Sequence, residues 1–156
     1  MAFSGNAMCT SFKQQLMIGA HNFTSGDSVF RMALYTNSAV PSNMGGSGST
    51  MDGSVANYAA ANEVSGTNYV AKGRPITTVT PTTAGTTAFV DCADVVFSNV
   101  TISAVRGALF YNDAMTSPAD AAVAVLDFGS DKAASTGDFT VVMPSPGAST
   151  AIIRIA

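Results

Sequence analysis

Between residues 29 and 36 the chain alternates, with Phe30, Met32 and Leu34 on one side and Arg31, Ala33 and Tyr35 on the other. A period of two belongs to a β-strand, whose successive side chains point to opposite faces. Further strand-like runs cover 69–71, 76–80, 86–92, 95–97, 101–112, 121–128, 139–143 and 151–155, separated by Gly, Pro, Asn and Asp. Gly107 interrupts the 101–112 run, where a bulge or a close backbone approach suits a residue without a side chain. Short strands at even spacing predict a mainly β fold, an antiparallel β-sandwich of jelly-roll or Ig-like kind. One core is enough for 156 residues, so 1–156 is expected to be a single domain.

One segment breaks the period of two. Ser11, Phe12, Lys13 and Gln14 have the form of a capping box, with the Gln14 amide reaching back to the helix start. Phe12, Leu16 and Gly19 then share a face, the run ends near His21 and Asn22, and Ser25, Gly26 and Asp27 supply a turn. One short N-terminal helix is expected. In the last strand Ala151, Ile153 and Ile155 share a face, which turns the apolar Ile152 outward beside Arg154 and predicts cover from a neighbouring subunit.

Residues 41–62 fit neither pattern. They contain Gly45, Gly46, Ser47, Gly48 and Ser49, two methionines, Met44 and Met51, and one charge, Asp52. A long irregular loop in a small domain is usually functional, and methionine suits an adaptable contact, so 41–62 is expected to be an arm laid on a neighbour. The segment 1–9 is read the same way. Met1, Phe3, Met44, Met51, Tyr58 and Ile152 are the candidate interaction residues.

Composition strengthens that reading. Hydrophobic residues make up 47% of the chain and charged residues only 11%, against roughly 25% charged in an ordinary domain. Small neutral residues in place of charges lower the cost of covering a surface with another protein. A net charge of −3 with no cluster of Lys or Arg argues against nucleic acid as a partner. The start has no signal-peptide pattern and no apolar run is long enough to span a bilayer, so neither secretion nor membrane insertion is expected.

Candidate chemistry is sparse. A lone His21 lacks a nucleophile motif to serve and reads as a residue bonded at the end of its helix. Cys9 and Cys92 lack metal or redox spacing and read as small buried hydrophobes, with a bridge between them left open. The run 127–131, Asp-Phe-Gly-Ser-Asp, lacks the phosphate loop of a kinase and the ligand spacing of an EF-hand, so a turn is preferred. A cell-wall hydrolase would need an acid pair, such as Glu63 with a nearby Asp, which the spacing does not propose. No catalytic residue, cofactor or metal is expected.

The stretches 9–16, Cys-Thr-Ser-Phe-Lys-Gln-Gln-Leu, and 30–36, Phe-Arg-Met-Ala-Leu-Tyr-Thr, resemble the start of small virion-associated proteins of tailed bacteriophages. Blocks at 62–69, 106–112, 125–132 and 151–155 are similar to that family's recurrent blocks in the same order, and the chain departs from it at 41–62. The resemblance implies a structural protein of the virion, assembled in the host cytoplasm. A capsid decoration, or cement, protein comes first, with the major capsid protein as partner and a homo-oligomer, trimers especially, as its form. The alternative is a tail, neck or fibre protein that contacts the host receptor.

Overall fold

The computed structural model describes residues 3–24, 29–78 and 80–156. Met1 and the turn at Ser25, Gly26 and Asp27 lie outside the described residues. The elements in chain order are β1 (Ala7–Met8), α1 (Thr10–Met17), β2 (Phe30–Tyr35), a 3-10 turn (Pro41–Asn43), β3 (Arg74–Pro75), β4 (Thr82–Ala84), β5 (Thr87–Val90), β6 (Val95–Thr116), β7 (Ala119–Val141) and β8 (Ile153–Ile155). They make two antiparallel sheets, one ordered β1-β7-β6-β2-β3 and one ordered β4-β5-β8. Val90 and Ile153 of the small sheet belong to the same core as β2, β6 and β7, which makes the fold a mainly β sandwich, not a closed barrel.

The 22-residue β6 and the 23-residue β7 form one long hairpin, closed by a turn with a cis Ser117–Pro118 bond. Its half nearest that turn is the core of the large sheet, where residues 107–112 pair with both β2 and β7 and are buried. Its other half carries repeated bulges, with Asn99, Ala104 and Thr136 at positive φ. Each bulge adds local twist, so the strand continues where the sequence reads as a turn. That is why the expected pairs 95–97 with 101–112, and 121–128 with 139–143, are each largely one strand. Gly107 is buried where the Leu126 carbonyl and the ring of Phe3 leave no room for a Cβ.

Both faces of the central sheet are covered by the chain itself. Phe12, Phe23, Phe30 and Phe110 stack or meet edge-on beneath α1, with Phe23 and Phe30 4.5 Å apart. Residues 41–64 cover the opposite face. Here the expectation of an arm is corrected: Met44, Met51 and Val55 are fully buried, and the segment is sewn to β7 by Tyr58 N–H to the Asp120 carbonyl and Ala122 N–H to the Ala56 carbonyl. Phe3 is buried as well, its backbone bridged to Met51. These side chains were expected to reach a neighbour because a glycine-rich loop without periodicity looks unanchored. The glycines instead let the backbone lie close, since a Cβ on Gly46 would fall 2.2 Å from the Ser54 carbonyl oxygen.

The capping box does not form. Cys9 is the N-cap, without a side-chain cap, and the Ser11 hydroxyl is buried without a partner. Gln15, not Gln14, carries the local chemistry: its Oε1 lies 2.8 Å from His21 Nε2. The run 69–71 is not a strand; it is a turn that hangs the Tyr69 side chain over the sheet.

Candidate interaction face

Two features stand apart from the core. The first is a polar network on the face covered by residues 41–73. Block 62–69 crosses the end of β2, where Val64 N–H donates to the Leu34 carbonyl, and reaches β6, where Thr101 N–H donates to the Thr67 carbonyl. The crossing depends on Gly66, whose Cβ would sit 2.0 Å from the Thr101 carbonyl oxygen. It delivers Glu63 to a half-buried position where Tyr58 and Tyr69 donate to its two oxygens at 2.6 and 2.8 Å. Burial, and then the Glu63 carboxylate, push both phenols well above their ordinary pKa.

Beside it, Lys72 donates to Asp113 at 2.9 Å and to Asp120 at 3.1 Å, and lies over the Tyr58 ring. Those two carboxylate bonds push the lysine pKa up. Burial acts to raise the Asp113 carboxyl, but the bonds with Lys72 and Asp120 and the charges of Lys72 and Arg31 together outweigh it and hold the group below the usual range. Glu63 has both oxygens occupied and its phenols stay protonated. The network therefore acts as a clamp that pins the covering segment to the sheet, and Tyr58, a candidate contact residue, is spent inside it.

The second feature is an apolar band along the side where β1, β8 and the lower half of β7 leave the core open. Met17, Ile18, Val142 and Ile155 are 86%, 76%, 74% and 62% exposed. A depression bordered by Phe128, Phe139 and Val142 shares its wall with another of about 450 Å³ floored by Met8, Leu126 and Ile152. Met8 also lines the next hollow, with Leu16, Met17 and Ile155, and Leu16 and Ile155 continue into a fourth beside Phe23 and Phe89. Four hollows thus share lining residues along one groove, whose stretch beside Ile152 is also lined by the polar Asn6, Asp127, Ser149, Thr150 and Arg154. Exposed apolar side chains gathered along one side of a small fold mark a contact site.

The outer edge of β7 explains why this side is open. Residues 56–58 and β1 pair with β7 up to Val125, and Asn6 accepts from Asp127 N–H. Beyond Phe128 no described strand lies beside it. Of the candidate contact residues that are described, only Ile152 lies in the groove, half-buried on its floor. Met17, Phe128, Phe139 and Val142 were missed. One signal was present: Leu16, Met17 and Ile18 are three consecutive apolar residues at a helix end, and one helix face cannot bury all three.

Burial raises the thiols of Cys9 and Cys92 to about 12, and both are free. Among the described residues no three of His, Cys, Asp and Glu converge as a metal cage, and no helix is long and apolar enough to cross a membrane. Comparison with family models, curated proteins and solved structures found no match to the chain.

Proposed function

We propose that this chain is a non-enzymatic structural protein that works by docking, and that its partner is the shell of a phage particle. In this reading it is a decoration, or cement, protein laid on the major capsid protein. The observation that carries it is the open apolar groove from Phe139 to Ile155 in a chain with so few charges. Removing such a surface from water is worth about 25 cal/mol for each Å² covered, with little desolvation of charge to oppose it. The family resemblance of blocks 62–69 and 106–112 supplies the particle. Those blocks build the clamp and the buried half of the hairpin, so they support a rigid body that carries the groove.

The clamp favours a structural role over hydrolysis. Glu63, the carboxylate a glycosidase reading would use, has both oxygens taken up by phenols. The test is the copy number and place of the chain on purified particles, by quantitative gel and imaging. Hundreds of copies on the head support decoration. A few copies at the tail or neck move the chain to the fibre-associated reading, and absence from the particle overturns both.

A further inference from the structure

The groove has an apolar floor, but its rim is charged. Of the seven Lys and Arg side chains, Arg31 and Lys72 are held by Asp113 and Asp120, and Arg106 by Asp131. The remaining four make no ion pair with a described residue, and three of them border the groove. Lys13 stands beside Met17 and Ile155, Lys132 beside Phe128 and Phe139, and Arg154 beside Ile152 and Val142. The fourth, Arg74, lies on β3 at the opposite edge of the large sheet. Among the described residues the groove is lined by one carboxylate, Asp127, which already accepts from the Gly5 and Gly129 amides.

A chain of net charge −3 therefore borders this groove with three cations that no described carboxylate neutralises, Lys132 and Arg154 bonding only the neutral oxygens of Ser130, Ala148 and Ser149. Potentials across an interface are complementary, and a groove suits an inserted segment better than it suits a flat surface. We infer that the groove receives a segment of the partner protein that is apolar in its middle and carries Asp or Glu on its flanks. This rests on the reading of the groove as the docking face. Most described carboxylates of a second copy are already engaged, which disfavours it as the occupant. Its Asp113, Asp120 and Asp131 are taken up by cations, Asp138 by Asn99 N–H, Asp94 by Met143 N–H and Asp52 by Ser54 N–H.

The test uses the full chain and a random peptide display library, selected in parallel on the wild type and on the rim-reversed variant K13E/K132E/R154E. All three positions are exposed, and a thermal melt of the variant establishes that it is folded. Selection on the wild type is expected to enrich peptides that combine Leu, Ile or Phe with Asp or Glu. Their affinity should fall about tenfold on the rim-reversed chain and weaken with salt. It should also fall for M17N/V142T, and not for the distant V70T. Enriched peptides without carboxylates, or equal binding by the rim-reversed chain, overturn the inference. So does self-association abolished by M17N/V142T, or preferential binding of the wild type to anionic lipid vesicles, either of which assigns the groove to another occupant. Titration of the same proteins onto purified phage heads reports separately on the virion reading. Acidic-apolar selection without head binding supports the groove's chemistry and removes the shell as its partner.

Discussion

His21 shows how much one buried side chain decides. Asn112 Oδ1 is taken by Ala114 N–H, so its amide nitrogen faces His21 Nδ1 at 3.1 Å. Nδ1 must then accept, and Nε2–H donates to Gln15 Oε1. Burial lowers the pKa of this neutral ring from 6.5 to about 4. The unfolded chain binds the proton first, so stability is complete above pH 6.5 and declines as pH falls towards 4. The loss is of the order of 2–3 kcal/mol. Urea melts of wild type and His21→Gln across that window are expected to converge at low pH, because the variant lacks this proton-linked term. Cys9 and Cys92, buried and with thiol pKa values near 12, are expected to resist a thiol reagent in the native protein and to react on unfolding. Fast labelling of the folded chain would contradict that. At Glu63, substitution by Ala leaves two half-buried phenols without their acceptor. A loss of about 1–3 kcal/mol is expected in chemical denaturation.

At the scale of elements, the strands with a clear period of two were legible, and those sustained by position were not. β2 reads directly from Phe30, Met32 and Leu34, and the block 86–92 anticipates β5. Residues 129–138 of β7 are Gly, Ser, Asp, Lys, Ala and Thr, a loop by composition, yet they stay extended because β6 supplies the ladder. An exposed edge needs no apolar side chains, and bulges with polar residues guard it against stray pairing. Segment 41–62 failed in the other direction: its methionines point inward, and glycine-rich backbone disguises a buried cover. Deletion of 42–54, which would only weaken binding if this were an arm, is therefore expected to abolish cooperative unfolding. Met51→Ala alone should cost about 2–5 kcal/mol in the same measurement. Gly66→Ala should cost about 1–3 kcal/mol, because its methyl group meets the Thr101 carbonyl and breaks the crossing that delivers Glu63.

For the whole molecule, the fold class was legible and the candidate site mostly was not. A sandwich follows from strand spacing, but a groove is built from residues far apart in sequence, Met8, Phe128, Val142 and Ile155. Only Ile152 gave itself away, by facing the polar side of a strand. Low charge predicted a covered surface somewhere, and the structure locates an open one beside the free edge of β7. The most direct test is the structure of the chain in place on the purified particle. The account predicts that Met17, Val142 and Ile155 are covered by another protein and that Lys13, Lys132 and Arg154 face its carboxylates. A bound chain with this groove open to solvent, held instead through other surfaces, would contradict it.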